Sequence, residues 1–184
     1  MLEYFGNCQT INWDSLVESV INQEPAYVGP RHRDDDDVPG IAEVANVWNT
    51  GGYKLREHGG NAQWDMFFPG QNFDPEIATQ FAKYVGLESA ETAYVWVSRI
   101  NPGNVAPWHW DVTDDEVTLD LKDRVRYHCH IQRPEDTIGH TLIVEETCLY
   151  MPAQGSVYKW PSRKSWHGGS NCGPNPMYTF NFWV

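Results

Sequence analysis

Two periodicities divide the chain near residue 90. Before that point Trp13, Leu16, Val17, Val20 and Ile21 recur at helical spacing, which gives one apolar face, and Asn12 can cap the first turn. A second helix is marked by Asp74 as cap, Pro75 at the first helical position, an apolar stripe of Ile77, Phe81, Ala82 and Val85, and Gly86 as its end. Residues 41–48 suggest a third helix. From Tyr94 onward the pattern changes to short alternating stretches at 94–100, 124–131, 141–145, 147–151, 156–160 and 177–184, separated by Pro, Gly, Asn and Asp. Such punctuation predicts strands of a sandwich or barrel.

The expectation is an α+β fold in which an N-terminal helical layer packs on a C-terminal antiparallel β-sandwich. A length of 184 residues with 41% hydrophobic residues suits one domain, 1–184, mainly helical over 1–90 and β-rich over 91–184. No apolar run is long enough to span a bilayer as a helix, and the N-terminus lacks a basic region followed by an apolar stretch, so a soluble, cytoplasmic protein is expected. The formal net charge of −12, with no basic stripe, argues against nucleic acid as a partner. Four scattered cysteines, Cys8, Cys129, Cys148 and Cys172, form no CxxC pair, which fits neither a zinc ribbon nor a disulfide scaffold. The run Asp34 to Asp37 reads as a solvated loop, since consecutive carboxylates lack the spacing of a calcium loop.

Candidate chemistry begins with Pro107-Trp108-His109-Trp110-Asp111. In extended backbone, side chains two residues apart share a face, so His109 and Asp111 can grip one ion. His167, far along the chain but just ahead of the last strand, can return to the same cavity. Two imidazoles and one carboxylate form a facial triad that leaves metal positions open for a cosubstrate and O2, the arrangement used by non-haem Fe(II) oxygenases. Zinc would favour a closed tetrahedral set. His128-Cys129-His130 is not a metal clamp, because alternation turns Cys129 away from both histidines. His130 and His140 read as structural or surface residues, and His32 and His58 as surface residues.

The order of these pieces, from about Trp96 to the end, resembles the double-stranded β-helix (jelly-roll, cupin-like) core of the 2-oxoglutarate-dependent oxygenases. The segments Ser98-Arg99-Ile100-Asn101-Pro102-Gly103, Arg124-Val125-Arg126-Tyr127-His128-Cys129-His130-Ile131, and Gly155-Ser156-Val157-Tyr158 leading to Trp166-His167 resemble the aspartyl/asparaginyl β-hydroxylase branch most. This likeness implies Fe(II), 2-oxoglutarate and O2, with His109, Asp111 and His167 as iron ligands. It also implies that Arg126 and His128 meet the C1 carboxylate end of 2-oxoglutarate and Ser98 the distal carboxylate.

Two departures stand out. The animal enzymes of that branch lack the carboxylate ligand that Asp111 supplies here, and Asp111 also argues against halogenation. The basic residue that the family carries about ten positions after its second histidine is absent, because Met177 and Tyr178 stand there. Tyr178 is the expected hydrogen-bond donor beside Ser98, with Arg99, Lys159 and Lys164 as other sources of charge. The implied activity is hydroxylation of an unactivated C–H bond in a small molecule or peptide, with release of succinate and CO2. A cupin-like isomerase or dioxygenase that does not use 2-oxoglutarate, and a non-catalytic binding module on the same fold, stay open.

Overall fold

A computed structural model describes residues 1–29, 64–109, 124–161 and 165–184. Asp111, Trp110, Lys164, His32, His58, the acidic run and the expected helix at 41–48 lie outside the described residues. The elements run β1 (Glu3–Asn7), α1 (Trp13–Ile21), β2 (Tyr27–Gly29), β3 (Trp64–Phe67), α2 (Glu76–Tyr84), β4 (Tyr94–Ile100), β5 (Val105–His109), β6 (Val125–His130), β7 (His140–Val144), β8 (Thr147–Tyr150), β9 (Ser156–Pro161), β10 (His167–Asn171) and β11 (Met177–Trp183).

Among the described residues the strands form a seven-stranded sheet in the order β1-β9-β6-β11-β4-β3-β2 and a four-stranded sheet in the order β5-β10-β7-β8. From β4 onward the chain alternates between them: β4, β6, β9 and β11 enter the large sheet, while β5, β7, β8 and β10 enter the small one. All the strand pairs are antiparallel. This is a jelly roll, two sheets made from one run of strands that crosses repeatedly between them.

Of the three expected helices, the two that lie among the described residues form. In α1 the Asn12 side chain accepts from the Ser15 amide at 3.1 Å, and Trp13, Leu16 and Val20 are buried. Ahead of α2 the Asp74 carboxylate accepts from the Glu76 amide at 2.9 Å. Gly86, at φ +88°, turns the chain out of the helix in the left-handed region that glycine enters without strain. Their apolar faces share one core with the outer face of the large sheet, where Val95, Val97, Tyr127, Cys129, Val157, Tyr178, Phe180 and Phe182 project. Phe180 lies at its centre, 4.9 Å from the Phe81 ring and 5.6 Å from Trp13.

The described part of the first ninety residues is less purely helical than its pattern predicts. β1 pairs with β9, β3 with β4, and β2 with β3. β1, β2 and β3 have only five, three and four residues, too few to show a period, and they are specified by the formed sheet edges that they complete. β10 also escaped the sequence pattern, because His-Gly-Gly-Ser-Asn has no apolar alternation. No helix among the described residues is long and apolar enough to cross a membrane.

The turn into β9 holds three segments together. The Gly155 carbonyl accepts from the Cys8 amide at 2.8 Å, and its amide donates to the His130 carbonyl at 2.7 Å. Gly155 has φ +80°, and a Cβ there would meet the Cys8 carbonyl at 2.7 Å, so both conformation and space require glycine.

Candidate functional site

The inner face of the large sheet, turned away from the helices, is polar and aromatic. Register arranges it in rows across the strands. Trp183 on β11 stands opposite Arg126 on β6 and Tyr94 on β4; Asn181 stands opposite His128 and Trp96; Thr179 stands opposite His130 and Ser98. On β9, Trp160 pairs with Arg126 and Tyr158 with His128. Because side chains alternate along each strand, the same register sends Tyr127, Cys129, Phe180 and Phe182 to the helical side.

One hydrogen-bonded chain links these rows to the small sheet. Arg126 Nη1 lies 2.6 Å from His167 Nε2, and Arg126 Nη2 donates to Asn181 Oδ1 at 2.9 Å. A guanidinium only donates, so His167 Nε2 is an acceptor. Its hydrogen is therefore on Nδ1, which donates to the Ser165 carbonyl at 3.0 Å. Asn181 Oδ1 accepts again from His128 Nδ1 at 2.9 Å, while Asn181 Nδ2 donates to Ser98 Oγ at 3.1 Å. Trp96 Nε1 donates to the same Ser98 oxygen at 2.8 Å. Asn181, fully buried, thus orients Arg126, His128 and Ser98 together.

Aromatic rings enclose this chain. The Arg126 guanidinium lies over Trp96 at 4.9 Å and Trp160 at 5.4 Å, positions in which a cation gains from the ring faces. Trp160 is 5.4 Å from the His167 ring and 5.8 Å from His128, which is 5.0 Å from His130. Trp108 on β5 and Trp166, just ahead of β10, stack at 6.5 Å with planes 9° apart. Burial, then the neighbouring His130 and Arg126, hold His128 well below the ordinary histidine pKa. His128 Nε2, His130 Nε2 and Trp160 Nε1 are buried without a hydrogen-bond partner among the described residues.

Of the residues expected at the site, Ser98, Arg126, His128 and His167 come together on this surface. In the backbone register of β5 and β10, His109 stands directly opposite His167. Among the described residues no group of three His, Cys, Asp or Glu side chains forms a metal cluster, and Asp111 is not one of those residues.

Tyr178 must be corrected. It belongs to the apolar core on the helical side, pairs with Arg99 in register and hydrogen-bonds its side chain, and so stands on the opposite face from Ser98. Alternation along β11 is the reason: Thr179 and Asn181 face inward, which sends Tyr178, Phe180 and Phe182 out. Arg99 pairs with Asp65 at 2.6 Å, and Lys159 with Glu3 at 3.2 Å, so neither supplies charge to the inner face. Of the two readings open for His130, structural or surface, its burial at 5% exposure on that face excludes the surface. Asn181 and Thr179 are the site residues that sequence reasoning missed, although two polar residues alternating with Tyr178, Phe180 and Phe182 were a signal for them.

No family model matches the chain, and no curated protein matches its sequence. Solved structures do resemble it. The viral collagen prolyl hydroxylase of Paramecium bursaria Chlorella virus 1, solved as its 2-oxoglutarate complex, is 16% identical with a TM-score of 0.56, over 99% of this chain and 94% of that one. A prolyl hydroxylase of Trichoplax adhaerens, in complex with a hypoxia inducible factor peptide fragment, is 13% identical over 78% and 74% of the two chains, with a TM-score of 0.46. A prolyl-4-hydroxylase of Pseudomonas putida is 16% identical over 77% and 83%, with a TM-score of 0.45. The first likeness extends over the whole chain and establishes a shared jelly-roll fold.

Proposed function

We propose that this chain is an Fe(II)- and 2-oxoglutarate-dependent oxygenase that hydroxylates an unactivated C–H bond in a small molecule or peptide. The observation that carries the reading is the state of His167. Its Nδ1–H donates to the Ser165 carbonyl, the kind of contact that fixes the tautomer of metal-binding histidines, and its Nε2 lone pair, which accepts from Arg126, faces the polar interior. His109 stands opposite it in register, and Asp111 follows two residues later, so the donor set has the chemistry of a facial triad. The likeness in fold to a prolyl hydroxylase solved with 2-oxoglutarate supports the same class. The motifs around Ser98, Arg126 and His167 favour the aspartyl/asparaginyl β-hydroxylase branch within it.

On this reading His109, Asp111 and His167 hold the iron, which when bound supplies O2 activation. The overall reaction converts substrate C–H, O2 and 2-oxoglutarate into C–OH, succinate and CO2. Arg126 leaves His167 Nε2 and donates to the incoming carboxylate, guided by Trp96 and Trp160 on its flanks. His128 presents Nε2 to the same place, because Asn181 occupies its Nδ1–H. A bare lone pair repels a carboxylate, so contact there requires that the bound carboxylate draw a proton onto Nε2, against the burial that otherwise holds His128 neutral. Trp96, Trp160 and Trp183 keep water from the reacting groups.

A second reading, a binding module without turnover, draws on the Arg126–His167 contact, which fills the lone pair a metal needs. Anaerobic addition of Fe(II) and 2-oxoglutarate separates the two. The oxygenase develops the weak visible band of the chelate and, in air, releases succinate; a protein that gives neither with any candidate substrate is not a 2-oxoglutarate oxygenase, which leaves the cupin-like enzyme and the binding module.

A further inference from the structure

We propose that Ser98, Thr179 and His130 form the pocket for the distal carboxylate of the cosubstrate, with His130 acting as anchor in place of a cation. The inference rests on the 2-oxoglutarate reading and assigns this end of the site to residues of the chain. Thr179 on β11 is in register with Ser98 on β4 and with His130 on β6, so the three occupy one row on the inner face of adjacent strands.

Their hydrogen-bonding capacity matches an anion. Ser98 Oγ already accepts from Trp96 Nε1 at 2.8 Å and Asn181 Nδ2 at 3.1 Å, which uses both lone pairs and leaves its hydroxyl to donate. Thr179 Oγ1 accepts from the same Asn181 amide at 3.4 Å and keeps its own hydrogen. His130 is buried at 5% exposure with no partner for Nε2 among the described residues. A buried polar atom without a partner is uncommon unless a ligand or water completes it.

The groups that face His130 are His128 on its own strand, Tyr158 on β9 at 5.9 Å between rings, and His140 from β7. Thr179 and Ser98 on the other side are uncharged. Burial, with His140 as the lesser cause, brings the His130 pKa down to about 3, so the imidazole is neutral near pH 7 and can carry its hydrogen on Nε2. A carboxylate placed here receives hydrogen bonds from three donors on three strands.

The test uses the full chain loaded anaerobically with Fe(II), titrated calorimetrically with 2-oxoglutarate and with 2-oxopentanoate, which has a methyl group at the distal end. Wild-type protein should bind 2-oxoglutarate more tightly. In His130→Ala that preference should fall on the order of ten- to a hundredfold, the loss of one hydrogen bond to a charged group, with 2-oxopentanoate affinity unchanged. His130→Gln, which keeps an N–H donor, should recover part of it.

Equal losses for both ligands, or none for 2-oxoglutarate, overturn the assignment while leaving the oxygenase reading intact. A wild-type protein that binds neither ligand overturns both. Should the His130 variants not fold, Thr179→Val, nearly equal in shape, must lose 2-oxoglutarate affinity selectively; unchanged affinity there refutes the pocket.

Discussion

Arg126 Nη1 stands 2.6 Å from His167 Nε2, so a guanidinium occupies the lone pair that a metal would take. Iron binding and the Arg126–His167 bond therefore exclude each other. On the proposed reading, Arg126→Ala should bind Fe(II) at least as well as wild type without cosubstrate. It should also bind 2-oxoglutarate on the order of ten- to a hundredfold more weakly, as expected for one charge-assisted hydrogen bond. Sequential anaerobic titration with iron and then 2-oxoglutarate measures both; weaker iron binding would show that Arg126 supports the metal site.

Removing a proposed ligand should have the opposite order of effects. In Asp111→Ala or His167→Ala, Fe(II) affinity should fall before cosubstrate binding is tested, with succinate release lost while the fold persists. Far-ultraviolet circular dichroism checks the fold, and iron retained after gel filtration checks the metal. Undiminished iron in His167→Ala would remove it from the ligand set.

Asn181 joins three site residues through one buried amide. Replacement by Leu keeps much of the volume but removes the acceptor for Arg126 and His128 and the donor to Ser98. Each buried polar group left unmatched costs about 1 to 3 kcal/mol. Asn181→Leu should lower unfolding free energy by several such contributions at most, measured by urea denaturation, and weaken 2-oxoglutarate binding together with it. Wild-type stability in this variant would mean that the network reorganises without Asn181.

His130 should leave a mark on stability against pH. Its folded pKa is about 3, below the value of about 6.5 for an unfolded histidine. Between these values the unfolded chain binds the extra proton, so stability falls as pH falls, by about 1.4 kcal/mol per pH unit from this group. Above the unfolded pKa the group contributes no slope. His130→Asn should flatten the decline between pH 6 and 4 relative to wild type, read from denaturant midpoints at each pH; parallel curves would show that His130 is not held neutral.

How much of this was legible differs from strand to strand. Alternation alone placed Arg126 and His128 on one face of β6 and Tyr127 and Cys129 on the other, since a period of two leaves no third choice once the strand is drawn. Helical spacing and side-chain caps announced α1 and α2, because both signals are local. At Tyr178 the resemblance points to the cosubstrate side, whereas the alternation of β11 groups Tyr178 with Phe180 and Phe182 and turns all three to the helical core.

The sequence by itself determined which residues share a face, because that depends on backbone geometry over a few positions. It did not determine which strands lie side by side. Ser98, Asn181 and His128 are far apart in the chain and meet because β11 inserts between β4 and β6, and His167 reaches Arg126 because the small sheet closes over the large one. The edge strands β1, β2 and β3 and the glycine-rich β10 have no pattern of their own and take their form from neighbours. Such contacts depend on register between distant segments and on the burial that both sheets gain together, and only the assembled fold decides them.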